Sequence, residues 1–348
     1  MPLLRGAALF LAVVLVAAAV SAGVYLRLRP AAIEGRGAPA VGAPAGNVGA
    51  AQRAAQSVVR VDTAAPASPV PGAPDLETPG GSGVVVDARG FILTAEAVVA
   101  GASRIAVAVP GVGVVDARVI GSDAVTSVTL LKVDTPALKP IDLAQGATIA
   151  AGSGVVVAGA PPAPQAMLAG ISSPDVSVSL DDASQPGGKA VVNDLFSLDL
   201  TAPAATLGDA VVDANGRLVG LVVGAPGQAV ASPVVDLAPA IAQLIENGHV
   251  TYPSIGARYQ QLSTTAAAER GLAGGALVLA LEPGGAAEAA GVKPGEVIVA
   301  AAGIAVDASH SLRSILRDQP LGQPVSLRVR DAAGVTRSLS VKLALAAQ

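Results

Sequence analysis

Residues 81–94 read Gly81-Ser82-Gly83-Val84-Val85-Val86-Asp87-Ala88-Arg89-Gly90-Phe91-Ile92-Leu93-Thr94. Two short apolar runs, rich in residues that favour strands, flank the turn signal Asp87-Ala88-Arg89-Gly90. Glycine can take the positive φ that a tight turn requires, and aspartate can accept hydrogen bonds from its own backbone. The stretch therefore predicts a β-hairpin.

The strand pattern continues beyond this hairpin, and its runs are separated by turn signals. A second turn, Asp213-Ala214-Asn215-Gly216, precedes residues 217–223, which are predicted to form a buried strand. Residues 234–247 have helical spacing and end at Gly248, a typical residue after a helix. We predict an all-β domain that closes near residue 248. Its other predicted strands are 105–109, 114–120, 125–133 and 154–158.

The last hundred residues mix both periodicities. Helical spacing occurs at 286–290 and 311–318, and Asp331 to Gly334 form a final hairpin turn. This part of the chain predicts an α+β module. Its predicted strands are 276–280, 296–300 and 325–329.

The composition limits the function classes. The chain has 348 residues, of which 52% are hydrophobic, so it can form two folded domains. Only 2% are aromatic, the net charge is −4, and the basic residues are scattered, which argues against a nucleic-acid partner. The absence of cysteine excludes disulfides, thiolate nucleophiles and cysteine-ligated metals. We expect no cofactor and no metal.

The N-terminus predicts export. An uncharged run of twenty residues starts at Ala7 and ends at Leu26, between Arg5 and Arg27, and is long enough to span a bilayer once. A cleavable signal peptide is the alternative, because Val20-Ser21-Ala22 provides small residues for cleavage. We favour the anchor, since the apolar run continues past Ala22 and basic residues follow it.

Two segments resemble spacers because they are rich in Gly, Ala and Pro: residues 30–51 and the predicted exposed loop 63–80. The predicted organisation is therefore an anchor or signal peptide over 1–29, a linker over 30–51, a first domain over 52–248 and a second domain over 249–348.

The first domain resembles the HtrA/Deg family of trypsin-fold serine proteases. The resemblance begins with residues 81–94 and implies two six-stranded β-barrels with an active site in the cleft between them. It continues through Val98-Val99, Gly121-Ser122-Asp123, Leu130-Leu131-Lys132-Val133, Gly159-Ala160-Pro161, Gly170-Ile171-Ser172-Ser173 and residues 213–221.

The positions that correspond to the catalytic triad hold other residues. Ala97 stands where the family has its histidine, Ser127 where it has its aspartate, and Leu207 where it has the nucleophilic serine. The only histidines of the chain, His249 and His310, lie outside residues 52–248. A serine hydroxyl needs a positioned base to become a nucleophile at neutral pH. We therefore predict a degenerate triad without peptidase activity.

Other constellations are weaker. Lys189, in a Gly-rich turn, could act as the base of a dyad with the hydroxyl of Ser127 or Thr206, but a lysine in such a turn is usually only solvated. Asp181-Asp182 lacks the further ligands that a metal site needs. His249 and His310 have no motif around them, which favours surface or helix-start positions.

The second domain resembles a PDZ domain. The resemblance rests on residues 252–257, 275–278, 282–287 and 290–298. It implies that a peptide C-terminus adds as a strand and that backbone N–H groups of one loop hold its carboxylate. The alternative is an ordinary PDZ core whose groove is unused. The peptide-binding residues implied are Ser254, Ile255, Gly256, Ala257, Arg313 and Leu316.

Together these features predict an HtrA-like pseudoprotease with one PDZ domain. It would be anchored in the inner membrane by a single span, with its bulk in the periplasm, and it would bind protein C-termini or unfolded segments as a scaffold or adaptor. One alternative is an active trypsin-like endopeptidase of periplasmic quality control. Another is a regulatory subunit of an active HtrA-type protease. The sequence leaves the oligomeric state open.

Overall fold

β-Strands make up about half of the residues that the structure describes. A computed structural model describes residues 45–64, 77–135, 138–160, 166–181, 189–201, 205–224, 227–307 and 310–347. The predicted anchor over 7–26 lies outside these ranges. Within them, no helix has both the length and the apolar character needed to cross a bilayer.

Six antiparallel strands close a first barrel in the order β1-β2-β3-β6-β5-β4. The predicted hairpin of residues 81–94 joins β2 to β3, with Asp87 paired with Phe91 and Gly90 at φ 100°. The strands are β1 (Val58–Ala64), β2 (Glu77–Asp87), β3 (Phe91–Ala95), β4 (Arg104–Val109), β5 (Gly113–Asp123) and β6 (Val128–Val133).

A second closed barrel follows in the order β10-β11-β12-β9-β8-β7. Its turn at Asp213–Gly216 forms as predicted, because the Asp213 carboxylate accepts hydrogen bonds from the N–H groups of Asn215 and Arg217. The two six-stranded barrels implied by the resemblance are thus confirmed. The strands are β7 (Gly154–Ala158), β8 (Ala166–Asp181), β9 (Lys189–Thr201), β10 (Ala210–Val212), β11 (Leu218–Gly224) and β12 (Gln228–Pro233).

Three helices accompany the barrels: α1 (Ala45–Ala54), the short α2 (Glu96–Val99) and α3 (Val234–Asn247). Helix α3 has the predicted bounds and ends at Gly248 with φ 75°. Helix α1 begins inside the segment predicted as a linker. The burial of Ala50 and Ala54 in the barrel core stabilises it, and alanine also favours a helix.

Two other local predictions were wrong. Strand β6 begins at Val128 rather than at residue 125, because Ser127 has a left-handed backbone with φ 54°. The predicted loop over 63–80 contains the end of β1 and the start of β2. Only its middle, residues 65–76, lies outside the described chain.

The C-terminal domain is an α+β module, as predicted. Its main sheet has the order β14-β15-β16-β18-β19, so β14 is an edge strand, and a separate pair joins β13 to β20. The strands are β13 (Thr251–Ser254), β14 (Ala257–Gln261), β15 (Ala276–Leu281), β16 (Val297–Ala301), β17 (Ile304–Ala305), β18 (Pro324–Arg330), β19 (Thr336–Lys342) and β20 (Ala344–Ala347). The helices are α4 (Thr264–Ala268), α5 (Ala286–Ala289) and α6 (Leu312–Arg317).

Apolar side chains form separate cores in the barrels and in the C-terminal domain. Valine, leucine, isoleucine and alanine supply most of them, as the low aromatic content predicts. Phe196 is the largest fully buried side chain of the second barrel. Both barrels and the C-terminal domain belong to one compact unit, Gly46–Gln348.

Candidate functional site

The segment 205–210 leads into β10 and lies against β2 of the first barrel. The Leu207 carbonyl accepts a hydrogen bond of 2.9 Å from the Ser82 N–H. The contact requires glycine at two positions. A Cβ on Gly208, which has φ 85°, would lie 1.8 Å from the Ser82 carbonyl oxygen, and a Cβ on Gly81 would lie 2.5 Å from the Leu207 oxygen. The Leu207 side chain packs against the barrel core.

Asp209 anchors this segment from within. Its carboxylate, 2% exposed, accepts hydrogen bonds from the Ser82 hydroxyl at 2.6 Å and from the Thr206 N–H at 2.8 Å. The Ser82 oxygen in turn accepts a hydrogen bond from the Ala160 N–H. Burial raises the pKa of Asp209, and the two hydrogen bonds oppose that rise. The carboxylate is therefore engaged in holding the loop. We made no prediction for Asp209 from the sequence, although a charged residue directly after Gly208 in an otherwise uncharged segment is a usable signal.

The backbone segments that carry Ala97 and Ser127 are hydrogen-bonded to each other. Ala97 is exposed on helix α2, whose first N–H, that of Glu96, donates to the Ser127 carbonyl at 2.9 Å. Helix α2 also approaches the Leu207 segment, since a Cβ on Gly81 would meet both the Leu207 oxygen and Val98. The fold therefore brings the three predicted positions to one region.

The described side chains of this region include no histidine, and the carboxylate of Asp209 is already bonded to Ser82 and Thr206. The hydroxyl groups of Ser127 and Thr206 form no hydrogen bond with a basic group within the described residues. The side chain of Lys189, the alternative base, lies outside them, as do those of Asp181 and Asp182. General-base activation of a hydroxyl requires a base within hydrogen-bond reach. Among the described residues, the region therefore keeps its fold but has no base bonded to the hydroxyl of Ser127 or Thr206.

The loop from Ser254 to Ala257 connects β13 to β14. Gly256 has φ 71°, and its N–H donates to the Ser254 hydroxyl at 2.9 Å. The carbonyls of Ile255 and Gly256 accept hydrogen bonds from Ala287 and Glu282. A Cβ on Gly256 would lie 2.9 Å from the Gly285 Cα, so the close approach of the two loops requires glycine.

The side chains predicted to line a pocket are packed inside the domain. Ile255 and Leu316 are 1% and 3% exposed and belong to its core, and Ala257 packs against them. An open cavity of about 340 Å³ lies next to the loop instead. Its lining comprises Ser254, Gly256, Glu282, Gly284, Gly285, Ala286, Lys342, Leu343, Ala344 and Leu345.

The free edge of strand β14 is occupied by Asn193, from strand β9 of the second barrel. The Asn193 side-chain amide donates to the Tyr259 carbonyl at 3.2 Å, and its oxygen accepts from the Gln261 N–H at 2.9 Å. These two backbone groups, two residues apart, are the ones that an added strand would pair with. No local signal in the sequence indicates this contact.

Arg313, on helix α6, is turned toward the barrels. Its guanidinium forms ion pairs with Asp194 at 2.6 Å and Asp236 at 2.9 Å, and it donates to the Asn193 carbonyl at 3.2 Å. Arg317, one turn later, pairs with the other oxygen of Asp236 at 2.7 Å. Burial lowers the pKa of Arg313, but Asp194 and Asp236 outweigh it and raise the pKa above its usual value.

A further carboxyl group lies at this junction. Asp175, on strand β8, has one carboxylate oxygen without a hydrogen-bond partner among the described residues. Burial, followed by the charge of Asp194, raises the pKa of Asp175 to about 7, although Arg313 opposes the shift. Asp123 is fully buried nearby and accepts a hydrogen bond of 2.6 Å from the Tyr252 hydroxyl.

Comparison with known proteins agrees with this architecture. Residues 81–221 match the family model described as a trypsin-like peptidase domain, and residues 277–331 match a PDZ domain. The solved structure of the HtrA-type protease AlgW with a decapeptide is similar over 86% of this chain and 98% of that one, with a TM-score of 0.59 and 25% identity. The chain belongs to the HtrA family.

Curated relatives in the family include a protein of Halomonas elongata named "Probable periplasmic serine endoprotease DegP-like". It is 30% identical over 263 residues, which are 72% of this chain and 53% of the relative. The periplasmic serine endoprotease DegP of Salmonella typhimurium is 28% identical over 280 residues, which are 75% of this chain and 56% of the relative. This HtrA-family chain therefore spans about half the length of the curated relatives it matches.

The two histidines of this HtrA-family chain lie at the surface of its C-terminal half. The His249 ring nitrogen is 3.0 Å from the Asn247 carbonyl, and His310 lies beside Asp307 just before helix α6. Within the described residues, no group of three or more side chains has the arrangement of a metal site.

Proposed function

We propose that this chain is a catalytically inactive HtrA-type protein that binds peptide C-termini or unfolded segments through its PDZ domain. The observation that carries the proposal is the residue set at the triad positions, Ala97, Ser127 and Leu207, in a domain that has no histidine between residues 52 and 248. Loss of the nucleophile or of the base alone removes most of the rate of a triad enzyme. Here the nucleophile, the base and the group that orients the base are all replaced.

The binding role rests on the second domain. PDZ domains take up a peptide as an added strand, and strand β14 is an edge strand next to the loop 254–257. The AlgW structure contains a decapeptide, which supports peptide binding by this architecture. By family position, we propose Ser254, Ile255, Gly256 and Ala257 as the loop that receives the terminal carboxylate, and Arg313 and Leu316 as residues of the facing helix.

We propose that the protein works outside the cytoplasm. The curated relatives are named periplasmic endoproteases, and the uncharged run from Ala7 to Leu26 is long enough for one membrane span. The proposed organisation is an anchor over 1–29, a spacer from residue 30 up to helix α1 at Ala45, a pseudoprotease domain that continues to residue 248 and a PDZ domain over 249–348.

An active endopeptidase is the second candidate, because the relatives carry that name. Two assays on the purified full chain separate the candidates: turnover of unfolded casein, and capture of peptides from an array with free C-termini. We expect capture without turnover. We also expect Gly256→Val to abolish capture, since a side chain at this position would collide with Gly285.

Gly271→Val is the matched control, because Gly271 also has a positive φ, of 63°, but no neighbour within 4 Å and no place in the lining of the cavity. We expect it to retain capture. Casein turnover by the wild-type chain would contradict the loss of chemistry. Failure of the wild-type chain and its variants to capture any peptide would contradict the binding role.

A further inference from the structure

One residue of the barrel domain fills the place of a bound strand. Asn193 bonds through its side-chain amide to Tyr259 and Gln261 of strand β14 and through its backbone carbonyl to Arg313 of helix α6. It therefore spans the groove between β14 and α6. A carboxamide has the same donor and acceptor as a peptide unit, so it can satisfy the strand edge as a ligand's backbone would.

The neighbouring residue supplies a charge to the same groove. Asp194 pairs with Arg313, and both side chains are close to nine-tenths buried. Asp194 adopts φ 59°, a left-handed conformation that aspartate tolerates better than most residues. This backbone turn places the amide of Asn193 and the carboxylate of Asp194 within one short segment.

The charges on α6 are compensated mainly from the other domain. The guanidinium of Arg313 bonds to Val125, Asn193, Asp194 and Asp236, all in the barrel domain. Arg313 and Arg317 are four residues apart, so they share one face of the helix. If the barrel domain leaves the groove, these two cations face the incoming ligand without Asp194 and Asp236.

Building on the proposed function, we propose that Asn193 and Asp194 occupy the peptide groove in cis and that peptides with an acidic side chain displace them by pairing with Arg313. An internal competitor lowers the apparent affinity by the fraction of molecules in which the groove is open. A carboxylate on the ligand restores the ion pair that opening removes, whereas a neutral side chain does not. The groove therefore selects acidic peptides over their amide counterparts.

The test uses the full chain in detergent and fluorescent decapeptides with a free C-terminal valine. Each peptide is made with Asp and with Asn at each of the second to fifth positions from the end, and binding is measured by fluorescence anisotropy. Asp194→Asn keeps the tolerance for the left-handed backbone but removes the charge. We expect it to bind the best Asp peptide roughly tenfold more tightly than the wild-type chain does.

Three further variants complete the design. Asn193→Ala removes the side-chain amide that bonds to strand β14, so we expect it to tighten peptide binding as well. It is the alternative test if Asp194→Asn folds poorly. Asp116→Asn makes the same chemical change on the exposed strand β5 and leaves binding unchanged. Arg313→Gln opens the groove and abolishes the preference for Asp over Asn.

The outcomes separate this inference from the proposed function. If no variant binds any peptide, peptide capture itself is wrong. If the wild-type chain binds as tightly as both groove variants, occupation in cis is wrong while peptide capture stands. If the Asp194→Asn variant binds Asp and Asn peptides equally, the acidic preference is wrong.

Discussion

The cleft region around Leu207 and the junction around Arg313 differ in the partners of their buried polar groups. At the cleft, Asp209 is bonded to Ser82 and Thr206, and the surrounding glycines allow backbones to touch. At the junction, Arg313 and Arg317 meet Asp194 and Asp236 across two domains. The contacts at the cleft hold the segment before β10 in one geometry against β2 of the first barrel. The contacts at the junction join surfaces that can part, and buried ion pairs are costly when only one partner remains.

The difference indicates where regulation can act. A close-packed loop has no second arrangement of similar energy, so the cleft serves as a rigid support. An interdomain contact built from charges responds to competing ligands, because a ligand can replace either charged partner. It also responds to pH, because protonation of a carboxylate removes its charge. Three substitutions test this contrast, and their expected effects decrease in the order given.

Gly208→Ala should cost the most stability. The new Cβ would lie 1.8 Å from the Ser82 carbonyl oxygen, and the backbone has φ 85°. We expect the free energy of unfolding, measured with urea, to fall by about 4 kcal/mol, or the protein not to fold. Gly146→Ala is the control, because Gly146 has φ 75° and no neighbour within 4 Å. It should lose about 1 kcal/mol. Equal losses would show that the cleft is not tightly packed.

Arg313→Gln tests the junction. The substitution leaves the buried carboxylates of Asp194 and Asp236 without their main counter-charge, and we expect a loss of about 3 kcal/mol in the same urea experiment. Arg104→Gln removes a pair that is exposed on both sides and should have a much smaller effect. If the two losses match, the junction is solvated and does not hold the domains together.

Asp175→Asn should give a smaller effect that depends on pH. The pKa of Asp175 is about 7 in the folded chain, whereas that of an unperturbed aspartate is about 3.9, so between these values only the folded state holds the proton. Stability therefore falls as the pH rises from about 4 to 7, and the cost is constant above that. We expect the variant to be more stable than wild type at pH 8, with no difference near pH 4. A difference that is independent of pH would contradict the shifted pKa.

The sequence predicted those parts of the fold whose causes are local. The turns at Asp87–Gly90 and Asp213–Gly216 form because aspartate and glycine act within four residues. Helix α3 follows its apolar spacing and ends at Gly248. In contrast, α1 depends on Ala50 and Ala54 entering a distant core. Their small side chains give no helix signal that distinguishes them from the spacer before them.

In the candidate site, too, the features with local sequence signals were predicted and those that depend on long-range packing were not. Ala97, Ser127 and Leu207 could be located because motifs on either side fix their positions. The groove contact could not, because Asn193 and Arg313 are 120 residues apart and meet only through the packing of two domains. For Arg313, the sequence predicted a place beside the groove, and the structure adds the ion pairs with Asp194 and Asp236.

Labelling with a fluorophosphonate probe, followed by mass spectrometry of the full chain, tests most directly whether the trypsin-like domain has lost its chemistry. The probe reacts with an activated hydroxyl, and the chain retains hydroxyl groups at Ser127 and Thr206 in this region. We predict no labelling at any residue between 52 and 248 at neutral pH. A covalent adduct on Ser127 or Thr206 would contradict the account.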